Sequence, residues 1–320
     1  MGSYTLSSRP TPLIHLWFPR EDEGMRFSNI NWKMKSLWFS LLLLVMLPSR
    51  SAWAQVDIGG EWSPRIYNDA RDIGDLTGIP LNEAGRMRAE TFSPEQVDLP
   101  ENVCRPHAFD LGLRVAPDAM YISQDVDPLT RKIVAYHLHL TWSGDQTIWM
   151  DGRPEPPDYA LSDWSGFATG KWEGDTLVYM TNHLNEGFLT RTGAPRSGKA
   201  TVTTRINRFG NYLTITIIVN DPAYLTEPYI REASWVYAPK QVIPPFPCEL
   251  PAEGSLVPAF TVPSNMPGKY PYLNDFAVEY GIPPEAALGG AETTYPEYIK
   301  KMKTMKTAPR TTTKHIGRSG

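Results

Sequence analysis

Tyr136-His137-Leu138-His139-Leu140 sets two imidazoles two residues apart. On a strand such residues share one face, with side chains roughly 7 Å apart, close enough to grip one metal ion. His183 is the expected third ligand, from an adjacent strand, with His107 and Glu186 in reserve. Three protein ligands and one open position would make zinc a hydrolytic or lyase centre that activates water. The alternative is that these histidines line a polar interior or lie on a solvated face, and the chain then needs no cofactor.

Acid–base chemistry without a metal is the second possibility. His137 or His139 would act with a carboxylate, Asp151 or Glu232, near Tyr121 or Arg205. A pocket with few polar groups among aromatics suits proton transfer on an apolar substrate, as in isomerases, cyclases and lyases. The simpler reading of Asp151-Gly152-Arg153 is a turn whose arginine is solvated or ion-paired. Trp142, Trp149, Trp164, Tyr179 and Trp235 either form core or line a cavity for an apolar or aromatic ligand. There is no Gly-x-Ser-x-Gly elbow, no phosphate-cradling loop and no Cys-x-x-Cys.

The elements that must position these groups are strands. Alternation of period two predicts strands over 119–124, 132–141, 147–150, 166–171, 176–182, 200–208, 213–219 and 230–237. In the second of these, His137 and His139 share a face opposite Tyr136, Leu138 and Leu140. Glu173-Gly174-Asp175 and Phe209-Gly210-Asn211 are hairpin signals. Such closely spaced strands imply an all-β, antiparallel meander, closed or nearly closed. Before it, residues 81–90 read as a short helix capped by Asn82, and 100–106 as a loop holding Cys104.

From Pro239 the texture changes. Pro244, Pro245, Pro247, Pro251, Pro258 and Pro263 exclude a central strand, so this segment should wrap the barrel. Short helical turns are expected at 274–280 and 284–288, a terminal helix at 295–305, and disorder over 308–320. The domain boundaries that follow are a barrel over 55–250 and a C-terminal wrap over 251–307.

At the other end, Lys35, the apolar run Leu37–Leu47 and Ala52-Trp53-Ala54 form a secretory signal over 34–54, with cleavage before Gln55. The run is about a dozen residues, whereas a bilayer-spanning helix needs roughly 20, so no stable span should remain after cleavage. Residues 1–33 read as an over-called N-terminal extension. A periplasmic or secreted location follows. Net charge −4 provides no basic stripe, which argues against nucleic acid as a partner. The two cysteines, Cys104 and Cys248, either pair in a disulfide, worth about 4 kcal/mol in the chain-entropy model, or are two buried thiols.

The stretch from Asp57 to about Met302 resembles a family of uncharacterised secreted bacterial proteins. The resemblance is carried by Gly60-Glu61-Trp62, Val103-Cys104-Arg105-Pro106, Asp151-Gly152-Arg153-Pro154, Asp221-Pro222 and above all Trp164 to Val178, a Trp-x-Gly-x-x-x-Gly-x-Trp-Glu-Gly-Asp-Thr-Leu-Val motif. The Gly-x-Trp opening is also similar to the start of lipocalins, where that tryptophan plugs one end of the barrel. The resemblance implies a lipocalin-like antiparallel β-barrel rather than a reaction. The chain departs from the family pattern at Phe167, Ala168, Pro195-Arg196-Ser197 and Thr204, which alters any shared site built there. The leading expectation is a barrel that binds a small apolar or aromatic molecule. An enzyme using the same cavity and a purely structural envelope protein are the alternatives.

Overall fold

The computed structural model describes residues 56–65, 71, 74–93, 98–115, 119–244, 265–266 and 268–309. The expected N-terminal extension, the signal and its cleavage site, Cys248 with most of the Pro-rich stretch, and the last eleven residues lie outside them.

Among the described residues eleven strands form in chain order: β1 (Gly60–Pro64), β2 (Met120–Val126), β3 (Ile133–Leu140), β4 (Gly144–Trp149), β5 (Phe167–Glu173), β6 (Thr176–Asn182), β7 (Gly187–Phe188), β8 (Pro195–Arg196), β9 (Thr201–Phe209), β10 (Tyr212–Asn220) and β11 (Tyr229–Tyr237). Nine of them close into a barrel in the order β1-β11-β10-β9-β6-β5-β4-β3-β2, while β7 and β8 pair separately. The all-β antiparallel barrel read from the sequence is the observed architecture. One departure is that β4 and β5 run parallel, matched only at Ile148–Ala168 and Trp149–Thr169 and joined by residues 150–166.

The strands form because their side chains alternate. On β10, Leu213, Ile215, Ile217 and Val219 are buried between partly exposed Thr214, Thr216 and Ile218. On β3, Tyr136, Leu138 and Leu140 face the core and His137 and His139 do not. A slip of one residue would exchange these sets, so burial fixes the register.

The Gly-x-Trp start also has a physical reason. Trp62 is fully buried and its indole Nε1 donates to the Ile58 carbonyl at 3.0 Å. Gly60 has φ +112°, and a Cβ there would lie 2.8 Å from the Tyr237 ring, so no other residue fits. Arg208 covers the Trp62 ring at 5.2 Å and donates through Nη1 to the Asp57 carbonyl, sealing this end.

The opposite end is filled by a helix absent from the sequence reading. Of the five α-helices among the described residues, α1 spans Glu83–Glu90 and α2 spans Phe109–Val115; a 3₁₀ turn, η1 (Pro100–Val103), lies between them. Every residue of α2 is buried, and Leu113 O accepts from the Trp235 indole at 3.1 Å. Asn82 caps α1 as expected, accepting from the Gly85 amide at 2.8 Å.

Three short helices, α3 (Asp275–Tyr280), α4 (Pro284–Ala287) and α5 (Pro296–Met302), complete the chain, with a 3₁₀ turn at Ala291–Thr294. They lie close to the expected positions. The tail is tied to the N-terminal segment: Gly78 N donates to Gly289 O, Thr77 Oγ1 to Ala287 O, and the Asn265 side chain to Phe92 O. Among the described residues, no helix is long and apolar enough to cross a membrane.

Candidate functional site

The alternation that builds the barrel puts the predicted catalytic groups on its outside. His137 meets Asp125 through Nε2 at 2.9 Å and Thr147 through Nδ1 at 3.1 Å, and His139 meets Asp145 at 2.5 Å. Tyr121 stands opposite His139 in register and is 43% exposed. Arg205 and Glu232 also point outward; Arg205 reaches Glu173 at 3.3 Å and Glu232 is exposed. Asp151 is held by Arg153 at 2.7 Å in the turn, and Arg153 in turn covers Trp149 at 3.3 Å. The placement of these groups in an interior pocket is therefore corrected: they are partners on a solvated surface. Asp125, His137 and Thr147 do make a carboxylate–imidazole–hydroxyl series. It lies open to water, where no wall desolvates a reacting group.

Each expected metal ligand has a partner of its own. His183 follows β6 with φ +52°, and its ring nitrogens meet Asn182 Oδ1 at 2.8 Å and Pro157 O at 3.0 Å. His107 is buried and stacked on Trp142 at 4.8 Å, and Glu186 is ion-paired to Arg88. Among the described residues, no group of three or more His, Cys, Asp or Glu side chains is placed to hold a metal ion.

The barrel interior is packed rather than hollow. Tyr179 and Trp235 are core residues, and the partly buried Trp142 stacks on His107 with the Arg191 guanidinium 4.7 Å from its ring. A void of about 10 Å³ remains beside α2, bounded by Asp110, Gln146, Tyr179, Thr181 and Thr204 among others. That is room for one water molecule, not for an aromatic ligand. Gln146 Oε1 is buried there without a hydrogen-bond partner, and burial pushes the Tyr179 phenol well above its ordinary pKa, against the pull of Thr204. Asp110 pairs with the fully buried Arg196 at 3.3 Å. Ala168, Arg196 and Thr204, three of the positions that depart from the resembled pattern, are all buried.

A much larger hollow lies where α1, η1 and β7 meet the loop before β5. It is a recess of about 470 Å³, open to solvent on one side, lined by Arg88, Asp98, Arg105, Trp164, Glu186 and Phe188, with Asn185 and Gly187. Its volume falls in the range of small-molecule sites. Trp164 is the one aromatic of the predicted ligand set that reaches it.

The sequence fixes Trp164 from both sides. Asp163 Oδ1 accepts from the amides of Ser165 at 2.9 Å and Gly166 at 2.5 Å, a local carboxylate turn. Asp163 N donates to His183 O, Asn185 N to Asp163 O, and Phe109 N to Trp164 O. Phe188 is set by its β7–β8 pairing and by edge contact with Phe92 at 5.2 Å.

Each aromatic carries a guanidinium. Arg105 lies over Trp164 at 5.0 Å and Arg88 over Phe188 at 5.9 Å. Arg88 is engaged further, donating from Nε to Glu186 at 2.8 Å and from Nη1 to Thr91 at 2.8 Å. Burial pushes Asp98 above the usual carboxylate range, although Ser93 N donates to it at 2.8 Å. Burial also lowers Arg105, against the attraction of Asp98.

Most of this hollow escaped the sequence reading, because Arg88, Asp98, Arg105 and Phe188 come from separate elements with no common spacing. The Trp164 motif and the Cys104-Arg105-Pro106 loop were its visible parts. Protein-family models, curated proteins and solved structures contain no match to the chain.

Proposed function

We propose that this is an exported barrel protein that binds a small aromatic molecule in the hollow around Trp164, outside the packed interior. The observation that carries the reading is a 470 Å³ recess in which an indole and a phenyl ring stand among the polar side chains of Arg88, Asp98, Arg105, Asn185 and Glu186. Aromatic faces supply contact area at low entropic cost, and the surrounding polar groups orient the guest. The secretory segment at 34–54 supports a periplasmic or secreted location, and a Cys104–Cys248 disulfide suits that compartment.

Saturation-transfer NMR with simple benzene derivatives tests the reading. Transfer to the guest in the wild type, lost in Trp164→Ala with the thermal midpoint preserved, is the expected result. No transfer to any aromatic probe, or undiminished transfer in Trp164→Ala, would overturn it.

A further inference from the structure

We infer that the guest is an aromatic acid, its carboxylate taken by Arg105; this deepens the reading above and rests on it. A hollow of aromatic faces and carboxylates can instead suit a cation, because ring faces attract positive charge. Here both ring faces already carry an internal cation, Arg105 on Trp164 and Arg88 on Phe188. An incoming ammonium would have to displace a guanidinium from each.

The two arginines differ in what remains to them. Arg88 is committed to Glu186 and Thr91. Arg105 keeps an open guanidinium edge: its Nη2 makes one long contact, 3.5 Å to the Asp98 carbonyl, while its Nε is sealed from the hollow. A guanidinium edge so weakly engaged can still donate, and a carboxylate is the acceptor that matches its planar fork. The Asp98 contact with Arg105 is through the backbone carbonyl, while its Oδ2 accepts from Ser93 N. Trp164 already backs the guanidinium plane, so a ring attached to the acid finds an apolar wall beside its charge partner.

Titration calorimetry with phenylacetate, phenylacetamide and benzyltrimethylammonium separates the possibilities. The expected result is at least about tenfold tighter binding of the acid than of the amide, the scale of one charge-assisted hydrogen bond. That preference should shrink as salt is raised and vanish in Arg105→Met, while amide binding survives. Arg105→Lys, which keeps the charge and loses the fork, should retain only part of it. Equal affinity for acid and amide, or tightest binding of the ammonium, overturns the acid assignment while aromatic binding stands. Failure of all three probes to bind removes the assignment together with the reading beneath it.

Discussion

Arg196 Nε lies 3.3 Å from Asp110 Oδ1, with the two side chains 0% and 4% exposed. The contact ties α2 to the β7–β8 hairpin and so couples the barrel's filled end to one wall of the aromatic hollow. Its alignment is imperfect: neither Arg196 Nε nor Asp110 Oδ1 makes a well-formed hydrogen bond, although Arg196 Nη1 donates to Ser197 O at 3.2 Å. Removing one partner strands a charge in an apolar surrounding. Asp110→Asn or Arg196→Met should each cost about 3–5 kcal/mol, read as a lowered urea midpoint. The double variant Asp110→Leu/Arg196→Met should recover most of that loss, because apolar replacement of both charges ends the desolvation cost.

Asp98 makes stability depend on pH. Its carboxyl is raised in the folded protein, so the native state holds this proton more tightly than the unfolded chain does. The contribution is fully present below the unfolded carboxylate pKa and is lost as pH rises through the raised value. Burial is the main cause, opposed by Ser93 N, Arg88 and Arg105 and reinforced by Glu186. Asp98→Asn should raise the thermal midpoint at neutral pH and flatten its dependence over the acid range. Parallel melting curves for the two proteins would expose the opposite slope if the reasoning fails.

The long Trp/Gly motif orders its own glycines by cost. Gly174 has φ +61° in the β5–β6 turn, and an added Cβ would meet nothing within 4 Å. Gly174→Ala therefore costs only the left-handed backbone penalty, about 1–2 kcal/mol. Gly166 has φ +68°, and a Cβ there would lie 2.6 Å from Asn182 O and 2.6 Å from Thr181 Cγ2. Gly166→Ala should be the more damaging of the two by denaturant titration, and should loosen the loop that holds Trp164.

A Cys104–Cys248 bond would anchor the Pro-rich segment next to Arg105. Non-reducing peptide mapping should recover the linked pair, and Cys104→Ser should lower stability by about 4 kcal/mol on the chain-entropy account. Free thiols by mass labelling of the native protein would refute the pairing.

The strands were legible where one alternating face is buried, most cleanly on β6, β9 and β10. The predicted 176–182 matches β6 end for end, and 213–219 falls one residue short of β10 on each side. α2 was not legible. Phe109-Asp110-Leu111-Gly112-Leu113-Arg114-Val115 alternates apolar and other residues as a strand would, yet it is buried on all sides, so neither period marks it as a helix. The His-x-His pair was placed correctly on one face, but sequence alone does not say whether that face looks in or out. Closure decides it: the Tyr136, Leu138 and Leu140 set is bulkier and apolar, and takes the inside. The hollow was legible only in parts, the Trp164 motif and the loop holding Arg105, since the residues that complete it meet through the packing of α1 and η1.

Directions can alternate around a ring without exception only when its membership is even. Nine strands close this one, so one neighbouring pair must run the same way, and β4–β5 is that pair. The parity defect falls there because residues 150–166 form a link long enough to travel back along the wall, as same-direction neighbours require. Cutting that link to hairpin length would reverse β5 and force the ring to lose or gain a member. The Trp164 segment would go with it, so the odd count of staves and the aromatic recess stand or fall on one connection.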